Sequence, residues 1–125
     1  MKSFQLYSII AIICVLALFG GYFLLNKSTP PPAKTNEVIF YYGDTCPHCK
    51  NVEDFLSKNK NIEAKIPLIK KEVYENKTNA QDLENKALVC GMDISQGVGV
   101  PFLYYKGQCI VGDTPVINFL TEKAK

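Results

Sequence analysis

The sequence predicts an α/β domain of element order β-α-β-α-β-β-α, built on a central mixed four-stranded sheet and preceded by one N-terminal transmembrane helix. Three observations carry that expectation. An uncharged apolar run fills Leu6–Leu25. A proline cluster follows it. The remainder alternates aromatic or β-branched runs with stretches whose apolar residues recur at helical spacing.

The apolar run is about 20 residues long, so as a helix it reaches about 30 Å, enough to cross a bilayer core. Tyr7 and Tyr22 near its ends suit the membrane interfaces. A cleaved signal peptide would carry a shorter apolar core and a small-X-small cleavage site. Only Gly20-Gly21 offers small residues, so an uncleaved anchor over 1–25 is the stronger reading and a cleaved signal the rival. Cys14 follows Ile12-Ile13 rather than the small residue that lipoprotein processing favours, and it is expected to pack in the membrane. Lys2 flanks one end, Lys27 and Lys34 the other, so charge alone does not orient the span. The short tail ahead of a first apolar segment places the rest outside the cytoplasm. Residues 26–36 contain Pro30-Pro31-Pro32 and read as a semi-rigid spacer of polyproline geometry.

The third region is 37–125. A domain of roughly ninety residues buries roughly 60–70% of its unfolded surface, enough for one core. It holds 11 Lys, no Arg and 12 carboxylates, which excludes the basic stripe of a nucleic-acid binder.

Taken in order, Val38–Tyr42 is a buried strand of aromatic and β-branched residues. Gly43-Asp44-Thr45 is a loop, and a helix runs from Cys46 or Pro47 to Lys58 on Val52, Phe55 and Leu56. Pro47 suits the first helical turn. Asn59-Lys60-Asn61 ends that helix. Ile66–Ile69 with Val73 and Tyr74 forms the second strand, and Pro67 gives it an edge position. Thr78-Asn79-Ala80-Gln81 is a capping box that opens a helix with Leu83, Ala87 and Leu88 on its apolar face, and Gly91 is its left-handed stop. Phe102–Tyr105 and Cys109–Val111 form a hairpin about Lys106-Gly107. Thr114 caps the last helix, with Pro115 at its first position and Val116, Ile117, Phe119 and Leu120 driving it. The helix-linked strands pair in parallel by a right-handed crossover, and the hairpin adds antiparallel strands to the same sheet.

The chemistry concentrates at Cys46-Pro47-His48-Cys49. Two cysteines two residues apart close a small ring or donate two sulfurs to a metal. A Cys-X-X-Cys between a strand and a helix start is where dithiol chemistry sits, because the helix N-terminus stabilises a thiolate. His48, the single histidine, adds a cationic or hydrogen-bonding partner. Stabilising the thiolate favours the reduced form and makes the disulfide a stronger oxidant.

Joined to the later Val100-Pro101 and to Gly112-Asp113 before the last helix, this pattern resembles the thioredoxin superfamily, specifically its small glutaredoxin-like members, over essentially all of 37–125. The resemblance implies a thioredoxin-like three-layer sandwich, a cis peptide at Pro101, and thiol–disulfide oxidoreductase activity without a cofactor other than the redox-active Cys46–Cys49 disulfide. It implies Cys46, Pro47, His48 and Cys49 as the catalytic motif, and Val100 and Pro101 as the groups that meet an extended protein substrate. The Pro-His dipeptide resembles that of bacterial periplasmic dithiol oxidases, whose large helical insertion is absent here. Gly43 and Gly99 stand where glutaredoxins carry a lysine and a threonine for glutathione, which argues against a glutathione site. No acid interrupts Ile39–Tyr42, so the buried acid of thioredoxins has no counterpart in that strand. Tyr42 and Phe102 are expected to border the substrate groove, and the tyrosines at 41, 42, 104 and 105 otherwise read as strand core and surface.

Four cysteines in the domain allow three pairings. The favoured one leaves Cys46–Cys49 labile and makes Cys90–Cys109 a structural bond, suited to an oxidising compartment. Two free thiols, a second redox relay and a four-sulfur zinc site are the alternatives for Cys90 and Cys109. The combined expectation is a monomeric, single-pass, membrane-tethered oxidoreductase facing outside the cytoplasm. It acts on protein thiols and disulfides with a membrane redox partner, leaning to oxidation or isomerisation, with no metal. A reductase of the same fold and a zinc-binding or redox-inactive module are the alternatives.

Overall fold

The computed structural model describes residues 2–25 and 36–125, with α1 side chains described at 5 and 7–17. It divides into two units, Met1–Pro32 and Ala33–Lys125, each described by itself. Residues 26–35 of the expected linker lie outside the described residues.

In the first unit, Lys2–Leu25 is a single helix, α1. Its described apolar side chains, among them Ile9, Ile10, Ile12, Ile13, Val15 and Leu16, are all exposed. Among the described residues no helix is long and apolar enough to cross a membrane.

The second unit is built on β1 (Val38–Tyr42), β2 (Leu68–Glu72), β3 (Phe102–Tyr105) and β4 (Gln108–Val111). Their order is β2-β1-β3-β4, with β1 parallel to β2 and antiparallel to β3, and β3 antiparallel to β4. This mixed sheet with helices on both faces is consistent with a thioredoxin-like fold. Its pleat sends alternate β1 residues to opposite cores. Val38 and Phe40 pack with Val52 and Leu56 of α2 (Pro47–Lys58), with Leu103, and with Val116 and Leu120 of α5 (Asp113–Lys123). Ile39 and Tyr41 pack with Phe102 and with Leu83 and Ala87 of α4 (Lys77–Val89). Both β1 faces are therefore covered, which is why this strand reads as an unbroken apolar run.

The hairpin turns where expected, through Lys106 (φ 47) and Gly107 (φ 82), the paired left-handed conformations that match strand twist. Gly91 (φ 72) ends α4, with the Met92 N–H reaching back to the Ala87 carbonyl at 3.0 Å.

Several boundaries depart from the sequence expectation. The chain does not go straight from α2 to β2: Lys60–Lys65 forms an extra short helix, α3, which buries Ile62. Asn59 alone is thus the break between two helices, and Lys60 and Asn61 open the second. β2 stops at Glu72, so Val73 and Tyr74 lie beyond the sheet. The cap of α4 is Asn76, whose side chain accepts from the Asn79 N–H at 3.1 Å, and not Thr78. α5 begins at Asp113 with Gly112 as its cap, ahead of the expected Thr114 cap and Pro115 start.

Candidate active site

The site begins with a turn. After β1 the Cys46 N–H bonds the Gly43 carbonyl at 3.0 Å, folding the chain back so that Cys46 becomes the N-cap of α2, with φ −83 and ψ 115. Pro47 occupies the first helical turn, where its missing N–H costs nothing. The Cys46 sulfur accepts the Cys49 N–H at 3.2 Å, the role a serine or aspartate oxygen plays in ordinary caps. That sulfur thus sits at the N-terminus of α2, facing the N–H and the positive end of the helix dipole.

The two cysteines, both free thiols, are unequal. Cys46 is 7% exposed and Cys49 is 0% exposed. Desolvation pushes the Cys49 thiol well above its ordinary range, and its hydrogen bond with Cys46 adds to that. Cys49 therefore keeps its proton where Cys46 meets solvent.

Three more segments converge on the pair. The Val100–Pro101 peptide is cis, and the Cys46 thiol points at the Val100 carbonyl oxygen, 3.6 Å away. Pro101 is fully buried, and its carbonyl accepts the Gly112 N–H at 2.9 Å, tying the proline to the start of α5. There Asp113 reaches across to α2. Its Oδ2 lies 3.0 Å from His48 Nδ1 and accepts Asn51 Nδ2 at 2.6 Å, while its Oδ1 accepts the Thr114 N–H at 2.9 Å. These bonds, Asn51 first, then His48, then Thr114, hold the Asp113 carboxyl down at about 2. His48 is thus oriented by a carboxylate and stands mostly in solvent. When protonated, its charge is offset by Asp113 rather than presented alone to Cys46.

The third segment is the turn after β2. Its residue Tyr74 lays its ring on Gly43, so that a Cβ at Gly43 would collide with the ring carbons Cδ2, Cε2 and Cζ. The Tyr74 hydroxyl is pushed above its ordinary range, first by desolvation and then by the neighbouring Cys46 and Cys49 sulfurs.

Other expected site residues lie elsewhere. Phe102 is fully buried, edge-on to Tyr41 at 5.8 Å, and so forms core and not a groove wall. Tyr42 stacks on Phe40 at 5.9 Å. Cys90, at the C-cap of α4, is bonded to Cys109 on β4, with Cα atoms 6.1 Å apart. That bond removes the four-sulfur zinc arrangement, because neither sulfur is left to join Cys46 and Cys49. Among the described residues no group of three or more His, Cys, Asp or Glu is arranged to hold a metal. A carboxylate does meet β1, supplied from α4 and not by the strand: Tyr41 donates to Asp82 Oδ2 at 2.8 Å, and Lys71 Nζ pairs with the same oxygen.

Asp113, Asn51 and Tyr74 were not singled out as site residues from the sequence. His48 and Asp113 are 65 positions apart, and nothing local marks the pairing. Gly43 did carry a signal, since a glycine just before an active-site loop often marks close approach by another group.

No family model matches the chain, and no curated protein matches it. Among solved structures it is similar to oxidised glutaredoxin 2 from Chlamydomonas reinhardtii, at 25% identity and a TM-score of 0.44, over 71% of this chain and 75% of that one.

Proposed function

We propose that this chain is a membrane-tethered, extracytoplasmic thiol–disulfide oxidoreductase working through Cys46 and Cys49. The observation that carries the reading is the inequality of the two sulfurs: one caps a helix and keeps 7% exposure, and the other is fully buried and holds its proton. In the oxidised enzyme a substrate thiolate attacks Cys46 Sγ. The Cys46–Cys49 bond breaks, and Cys49 leaves and takes up a proton. A second substrate thiolate then attacks the substrate sulfur of the mixed disulfide and expels Cys46 as a thiolate. The substrate has gained a disulfide, and the enzyme holds two reduced sulfurs until an acceptor disulfide or a membrane redox partner reoxidises it. Run backward, the same steps reduce or isomerise. Val100 offers a carbonyl beside Cys46 for an extended protein segment.

The helix N-cap and His48 support the oxidising direction, with Asp113 tempering the histidine. Titrating the Cys46–Cys49 pair against glutathione tests the direction: a potential near the about −270 mV of thioredoxin would overturn the oxidase form and leave the reductase. The exposed apolar side chains described on α1 support the tether, since such a surface needs lipid or protein around it. Alkaline extraction of membranes tests that part: the protein is expected to stay with the membrane, and release into the wash contradicts the tether.

A further inference from the structure

We infer that Tyr74 is a positioning residue for the Cys46–Cys49 couple, its ring seated on Gly43 and its hydroxyl donating to the Cys46 sulfur in the reduced state. This rests on the oxidoreductase reading and names the group that sets the couple's balance.

Three features converge. First, the ring atoms nearest Gly43 include Cζ, so the hydroxyl-bearing end of Tyr74 lies over that residue. The carbonyl of Gly43 receives the Cys46 N–H at 3.0 Å, so Gly43 touches both Tyr74 and Cys46. Any side chain at position 43 would displace the ring, so the glycine and the tyrosine form one unit. Second, the tyrosine is held from its backbone. Glu72 accepts the N–H groups of Tyr74 at 2.6 Å, Glu75 at 2.9 Å and Asn76 at 3.1 Å, and the Val73 N–H bonds the Tyr42 carbonyl at 2.9 Å. Despite some desolvation, these N–H groups and that of Asp44 keep the Glu72 carboxyl below its usual range. One carboxylate therefore fastens the turn that carries Tyr74. Third, Tyr74 is 54% exposed, so core packing does not account for where its ring sits.

A phenol hydroxyl distinguishes the two redox states. It donates strongly to a thiolate and weakly to a disulfide sulfur, so it favours the reduced couple and makes the disulfide more oxidising. In a glutathione buffer the balance is the Cys46–Cys49 disulfide plus two glutathione thiols against the dithiol plus glutathione disulfide. Y74F keeps the ring and removes the donor. It is expected to shift that equilibrium about tenfold toward the protein disulfide, about 30 mV in a two-electron couple. G43A displaces the ring and is expected to shift it the same way. Y74F and G43A combined are expected to shift it no further than the larger single change, because both act on one contact. An equilibrium within twofold of the parent in Y74F overturns the inference, as do additive effects in the pair. Should G43A fail to fold, Y74F alone decides. The equilibrium is read by alkylation and mass analysis and requires no turnover. A parent protein that equilibrates with glutathione but oxidises no protein substrate would thus count against the proposed function and leave the role of Tyr74 standing.

Discussion

Two cysteine pairs occupy opposite ends of helices. Cys46 caps the N-terminus of α2, where the dipole and an N–H stabilise charge on sulfur. Cys90 caps the C-terminus of α4, where the carbonyl end of the dipole disfavours it. The first pair would close a ring of a few residues. The second spans a separation of 19 and ties α4 to the edge strand β4. Under the proposed function the pair at α2 exchanges and the pair at α4 braces, with the helix end setting which bond is labile.

The largest expected effect breaks the pair at α2. Cys46→Ser removes the attacked sulfur and is expected to abolish turnover with a reduced protein substrate, whereas Cys49→Ser leaves the Cys46 thiolate to attack a disulfide-bearing substrate, expel one of its sulfurs and accumulate as the mixed disulfide. Trapped species in Cys46→Ser would reverse the assignment of the two roles. Breaking the other pair by Cys90→Ala with Cys109→Ala is expected to cost on the order of 3 kcal/mol. For a domain of this size that lowers the Tm by more than about 10 °C. Turnover at low temperature should persist, and its loss would make the second pair a relay.

Asp113 gives a pH-dependent prediction. Its carboxyl is held at about 2 in the folded protein, against an ordinary value near 4. A lowered folded value means stability that is present above about pH 4 and lost as pH falls through about 2. Asp113→Asn is expected to be less stable than the parent at neutral pH, with the two curves converging below about pH 2 in acid titrations followed by circular dichroism. Parallel curves throughout would mean that the bonds to Asn51, His48 and Thr114 contribute nothing. The smallest effect is expected at Tyr41. Tyr41→Phe removes one hydrogen bond to Asp82, which keeps its partner Lys71, and should cost about 1 kcal/mol in urea unfolding.

Much of the fold was legible because local patterns decided it. Ile39–Tyr42 reads as a doubly covered strand, Lys106-Gly107 as a hairpin turn, and Gly91 as a helix stop, and each depends only on neighbours in sequence. α3 was not legible because its buried face rests on Ile62 among polar residues, too little apolar signal to show a helical period. Val73 and Tyr74 have strand propensity, yet Glu72 draws the following N–H groups to its carboxylate, and the chain leaves the sheet. At the site, the Cys-X-X-Cys and Val100-Pro101 were visible as motifs. The partners of His48 and Gly43 were not, since Asp113 at the start of α5 and Tyr74 in the turn after β2 are distant in sequence and only the folded topology brings them there.

The central claim is that helix end sets lability. Its most direct test is one glutathione titration of the intact protein, with alkylated thiols mapped by mass at every point. The account predicts that Cys46 and Cys49 are reduced first and completely, while Cys90–Cys109 stays bonded until far more reducing conditions or denaturation. Reduction of both pairs together, or of Cys90–Cys109 first, would contradict it.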